Sequence, residues 1–132
     1  KLPAARFGNE KELTERFLEV VLTAQVDGQT VKHRNEWCFN FFKACALGDA
    51  AVDAIPAERN GKWTVTLTTD KPALFVWANV SGIRGEFDDN SFALFPGRPV
   101  TLTFTPKDKD ATFEQFAKAL TVKHLRQTYA GR

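Results

Sequence analysis

Apolar and polar residues alternate in steps of two along much of the chain. Trp63, Val65 and Leu67 are interleaved with Thr64, Thr66 and Thr68, and Val100, Leu102 and Phe104 with Thr101, Thr103 and Thr105. That period predicts strands with one buried face and one hydroxyl-rich face. Between them, Ala73 to Val80 is nearly all apolar, the pattern of a central strand covered on both sides. Asp70-Lys71-Pro72, Ser81-Gly82 with Gly85, and Pro96-Gly97 read as turns or breaks, and Pro106 stops the last of these strands. A short strand is expected at Phe92 to Phe95. Short strands separated by turn signals about every ten residues predict an all-β fold, an antiparallel sandwich rather than a parallel α/β sheet. The expected core is Trp63, Val65, Leu67, Phe75, Trp77, Phe92, Leu94, Val100, Leu102, Phe104, Leu120 and Val122.

Two stretches depart from this period. Phe113, Phe116, Ala117 and Leu120 recur at helical spacing behind Thr112 and Gln115, which predicts a capped helical turn near 112–119 and a final strand over Leu120 to Leu125. Upstream, Asn9 and Glu12 could cap a helix through Leu13, Phe17 and Val21. The alternative is a hairpin of Leu18 to Val26 and Thr30 to Phe42 around Asp27-Gly28, and Asp-Gly between apolar runs favours it. A boundary is expected in Ala44 to Ala51, dividing a hairpin region (1–46) from a sandwich (47–132).

Composition narrows the partners. The 132 residues carry a net charge of +2, which gives no electrostatic argument for nucleic acid or an acidic membrane. No apolar run approaches the roughly 18 residues of a membrane span, and Lys1 opens no signal-peptide pattern. Methionine is absent even at position 1, so the expectation is a piece of a longer chain. Cys38 and Cys45 lie seven apart, and bridging them would require a turn at Lys43-Ala44. Buried free thiols are the favoured reading, and the redox compartment stays open.

Several stretches together carry a family resemblance. They are Lys71-Pro-Ala-Leu-Phe-Val-Trp77, Gly85-Glu-Phe-Asp-Asp-Asn-Ser-Phe92, Leu94-Phe-Pro-Gly97, Val100-Thr-Leu-Thr-Phe-Thr-Pro106 and the ending Leu120 to Tyr129. Over roughly Val52 to Tyr129 the chain resembles the C-terminal immunoglobulin-like domain of the β-mannosidase branch of glycoside hydrolase family 2. Leu18 to Phe42 is similar to the last hairpin of the preceding immunoglobulin-like domain. The resemblance implies a scaffolding module without catalytic residues or a cofactor, whose partners are the other domains of its parent enzyme. A monomer is expected, with dimerisation through the hairpin as the alternative, and a microbial parent would favour the cytoplasm. A carbohydrate-binding module and a cell-surface adhesion sandwich are the competing functions.

The candidate chemical groups have plainer explanations. Gly8-Asn9-Glu10 and Asn35-Glu36 imitate the Asn-Glu dipeptide that holds the acid/base residue of such hydrolases. A glycosidase also needs a second carboxylate about 5–9.5 Å away across a sugar pocket, and a catalytic barrel of about 250 residues cannot fit in this chain. Turn or cap roles are expected instead. Asp88, Asp89 and Asn90 lack calcium-loop spacing and read as a self-capped loop between Phe87 and Phe92. His33 and His124 have no zinc-spaced companions, and Tyr129 reads as a packing or tail residue. With 12 Phe, 3 Trp and 1 Tyr, the aromatics read mainly as core, Trp63 and Trp77 among them.

Overall fold

In the computed structural model, which describes residues 4–129, Asp27 and Gly28 adopt φ of 50° and 77°. Two consecutive positive φ values match the right-handed twist of flanking strands, so this pair closes a tight hairpin. Strands β1 (Phe17–Val26) and β2 (Gln29–Cys38) pair antiparallel from Val26 opposite Gln29 to Phe17 opposite Cys38. Before them, Asn9 and Glu12 bond each other's backbone across the turn that leads into a helix. The Glu12 N–H donates to Asn9 Oδ1 at 3.0 Å and the Asn9 N–H to Glu12 Oε2 at 2.8 Å. That helix, α1 (Glu12–Glu15), is a single turn, and the β-rich run takes over at Phe17. The second strand ends at Cys38 rather than Phe42, because Phe42–Ala44 winds into a 3-10 turn. These elements belong to the first of two compact units, Lys1–Leu47.

The second unit, Gly48–Arg132, is the sandwich. Asn60 and Gly61, at φ of 51° and 70°, join β3 (Val52–Arg59) to β4 (Lys62–Thr69). There follow β5 (Ala73–Val80), β6 (Gly85–Phe87), β7 (Phe92–Leu94), β8 (Val100–Pro106), α2 (Phe113–Ala119) and β9 (Leu120–Lys123). One sheet has the order β3-β4-β8-β6 and the other β7-β5-β9, and every pairing is antiparallel. Pro56, which has no N–H to donate, lies on β3 at the edge of its sheet.

The alternation in β4 and β8 settles which side faces in. Trp63, Val65 and Leu67 are buried, as are Leu102 and Phe104. On the opposite face, Thr66 and Thr101 stand in register and share a hydroxyl hydrogen bond of 3.0 Å. One cluster gathers Val65, Leu67, Val76, Leu94 and Leu102, with Phe92, Val100, Leu120 and Val122 partly buried against it. A second packs Trp63, Val80 and Phe104 around Phe116, which α2 delivers with no exposed surface. Phe104 and Phe116 stack with centroids 5.1 Å apart. The helix begins with Thr112 and Gln115 bonding each other's backbone N–H groups, a capping box.

Phe75 and Trp77 are not core residues. They are 41% and 52% exposed, while Val76, Ala78 and Val80 face inward. The apolar run of β5 predicts a strand covered on both sides, yet only one of its faces packs into the core. Trp77 stands opposite Lys123, and Asn79 opposite Thr121, on a solvated outer face. Phe75 has φ of 50° where the β5–β7 register shifts between Ala73 and Val76. That irregularity buries both Ala73 and Leu74 and sends the Phe75 ring outward.

Candidate functional site

Two strand edges end beside each other in the sandwich. β6 is the last strand of its sheet, and β5 pairs with β7 only at Ala73 and Val76. The Asp88-Asp89-Asn90 loop closes part of the gap. Asp88 pairs with Thr103, its N–H donating to Thr103 O at 3.0 Å and its Oδ1 accepting the Thr103 N–H at 2.8 Å. Asp89 Oδ1 accepts the Asn90 N–H at 2.7 Å. Asn90 then turns its side-chain amide onto β5: Oδ1 accepts the Ala78 N–H and Nδ2 donates to Ala78 O, both at 2.9 Å. The amide thus completes the hydrogen bonding of one strand residue. The loop is self-capped, and Phe87 and Phe92 lie half-buried on either side of it.

Beyond Asn90 the edges part, leaving a groove of about 550 Å³. Trp77, Asn79, Arg84, Glu86 and Lys107 contribute to its walls, and Phe104 lies behind it. Gly85 brings β6 close to β8: a Cβ there would lie 2.7 Å from Thr105 O and collide with the Phe104 ring. The charges of the groove are matched. Lys107 bonds Glu86, and the Arg84 Nε donates to Asp108 Oδ1 at 2.7 Å. The Arg84 backbone N–H donates to Asp108 Oδ2, also at 2.7 Å. That backbone bond, and then the guanidinium, hold the Asp108 carboxyl below the usual carboxylate range. A groove with balanced ion pairs, amide groups and an indole suits a neutral hydroxyl-bearing ligand or an uncharged protein surface better than an anion.

The dipeptides that imitate a catalytic motif fall elsewhere. Glu10 is exposed in the turn leading to α1, and Glu36 lies near the end of β2, opposite Glu19. The Asn35 Oδ1 accepts the Glu36 N–H at 3.0 Å, a local backbone bond. Among the described residues Glu86 is the only carboxylate lining the Trp77 groove, whereas a glycosidase sets two across its pocket. Among the described residues no group of three or more His, Cys, Asp or Glu is placed to hold a metal ion. His33 is exposed on β2. His124 is buried, with Nε2 3.2 Å from Ala50 O. Tyr129 is partly buried, its ring 5.6 Å from the Arg126 guanidinium. In the hairpin, Trp37 is exposed.

Sequence reasoning did not single out Asn79, Arg84, Glu86 or Lys107. Strict alternation along β5 would have put Asn79 with Trp77 on one outward face. Nothing local to Arg84 or Lys107 announces that β6 and β8 bring them to the same groove.

Two antiparallel sheets packed over a shared core define an immunoglobulin-like sandwich. The Ig_mannosidase family model, an Ig-fold domain, matches residues 47–128, and the chain belongs to that family. It is an Ig-fold domain of the kind associated with mannosidases. No curated protein matches the chain.

Proposed function

We propose that the chain is a non-catalytic scaffolding module of a mannosidase-type glycoside hydrolase of family 2, holding neighbouring domains of the parent in fixed orientation. The observation that carries this reading is the outer face of β5, where Phe75 and Trp77 stay exposed while Ala73, Leu74, Val76, Ala78 and Val80 are buried. Two large rings on one sheet face are what a packed domain neighbour would cover. In a parent enzyme, Phe75→Ala combined with Trp77→Ala is expected to lower the thermal midpoint while leaving kcat unchanged. The isolated chain is expected to release no product from aryl β-mannosides. Turnover that tracks the purified chain and disappears in Glu10→Gln or Glu36→Gln would overturn the reading.

A second reading follows from the same indole. Trp77 lies in a charge-balanced groove beside Asn79 and Arg84, the combination of a flat ring and planar hydrogen-bonding groups that saccharides use. Titrating manno-oligosaccharides into the chain separates the two. Saturable quenching of tryptophan emission that is lost in Trp77→Ala would favour saccharide binding, whereas a flat titration favours the scaffold.

A further inference from the structure

The β1–β2 hairpin of the first unit ends in an open edge. Among the described residues no third strand pairs with it. Its register sets the apolar Val20, Leu22, Val31 and Trp37 on one face and Lys32, Arg34 and Glu36 on the other. The two-residue turn closes on a hydrogen-bonded pair, Val26 with Gln29. The odd-numbered residues of β2 therefore direct N–H and C=O at β1, and the even-numbered ones direct theirs outward. The Glu36 N–H accordingly meets no strand and donates to Asn35 Oδ1 at 3.0 Å. Both signs of charge line this edge. Arg34 is half exposed and reaches Glu19 only loosely, Nη1 to Oε1 at 3.8 Å. Glu36 stands opposite the like charge of Glu19, and among the described residues no cation pairs with it.

We propose that β2 is a self-association edge, pairing antiparallel with β2 of a second copy about a two-fold axis at Asn35. Charge selects both the occupant and the register. With the axis at Asn35, Arg34 lies opposite Glu36 of the second copy and Glu36 opposite its Arg34. Two complementary pairs form at once, as a self-complementary contact requires. Moving the axis one residue either way sets Arg34 against Arg34 or Glu36 against Glu36. Lys32 falls opposite Cys38, a half-buried free thiol, and meets no cation there. On the apolar face Trp37 lies opposite His33 of the second copy, a contact for a ring that the single hairpin leaves exposed. Asn35 sits on the axis itself. Its carboxamide covers the Glu36 N–H in the single hairpin and yields that donor to the Arg34 carbonyl of the second copy. The product is a four-stranded sheet, where a lone two-stranded one is marginal in water. The same charges that discourage pairing with an arbitrary strand complement a second copy of this one. The contact lies wholly in the first unit, so it stands apart from the scaffold reading carried by β5.

Sedimentation velocity of the full chain over a graded concentration series is expected to show a monomer–dimer equilibrium that weakens as salt is raised. Arg34→Glu sets two carboxylates against each other and is expected to raise the dimer Kd by about tenfold. Arg34→Glu combined with Glu36→Arg is expected to restore the dimer, since the exchanged pairs are again complementary. Asn35→Cys is expected to cross-link through residue 35 on oxidation, because the Cα atoms of a directly facing pair lie within disulfide reach. His33→Cys, on the same face but away from the axis, is expected to stay unlinked at residue 33, and peptide mapping assigns the bonds. A monomer at every concentration up to about 1 mM would overturn the proposal. So would a dimer indifferent to Arg34→Glu, a double variant that stays monomeric, growth into open-ended oligomers, or cross-linking of His33→Cys in place of Asn35→Cys.

Discussion

At the residue scale, burial rather than ring size decides what a substitution costs. Phe116 is fully enclosed by Trp63, Phe87, Phe104 and Phe113. Phe116→Ala is expected to cost about 3–5 kcal/mol in urea denaturation, because transfer and cavity terms add. Trp77→Ala removes a larger ring from a half-solvated position and is expected to change stability by no more than about 0.5 kcal/mol. A loss comparable to that of Phe116→Ala would mean that Trp77 is packed after all. Asp108 gives a pH signature. Its folded carboxyl is held low by Arg84, so its stabilising contribution is present above the usual carboxylate range and disappears as the pH falls through the lowered value. The Arg84 amide and Nε–H resonances are expected to shift with that same midpoint in an NMR titration, and Asp108→Asn should abolish the shift.

At the scale of elements, the strands were legible wherever one face is buried and the other wet. β4 and β8 follow their Val/Leu/Thr alternation, β5 spans the apolar run Ala73–Val80, and Asp27-Gly28 closes the hairpin. α2 follows its helical spacing, and its first turn rests on the Thr112–Gln115 box. Thr112→Ala is therefore expected to cost about 0.5–2 kcal/mol by thermal or chemical denaturation, with Gln115→Ala costing less. The missing pieces have physical reasons. β3 carries Pro56 and alternates small residues with charges, so its period is faint, although Asn60-Gly61 is as strong a hairpin signal as Asp27-Gly28. β6 has three residues and is held by its pairing with β8, which no local pattern encodes. The groove inherits that obscurity, since one of its walls is β6.

At the scale of the whole molecule, both aromatic and aliphatic core clusters lie within Gly48–Arg132. That unit holds its own two sheets and its own helix, and the Ig-fold family match spans it closely. Residues 48–132 expressed alone are expected to unfold in a single cooperative transition, with near-ultraviolet circular dichroism reporting ordered Trp63. The hairpin is a different case. Among the described residues its two ten-residue strands pair only with each other, and Val20, Leu22, Val31 and Trp37 are exposed along them. A lone two-stranded hairpin is marginally stable in water. Amide exchange in β1 and β2 is therefore expected to be orders of magnitude faster than in β4 and β8. Equal protection in the two units would show that the hairpin is held as firmly as the sandwich.

Asn90 stands in for a strand residue by offering an oxygen and an amino group to the two backbone atoms of Ala78. A carboxamide does both at once at any ordinary pH. Hydrolytic deamidation would leave an aspartate whose second oxygen faces the Ala78 carbonyl, setting one acceptor against another at a distance chosen for a bond. The damage would depend on acidity: a protonated acid could still donate to that carbonyl, and a carboxylate could not. The sandwich therefore carries, in one side chain, a point at which slow chemical ageing becomes a loss of strand order at the rim of its groove.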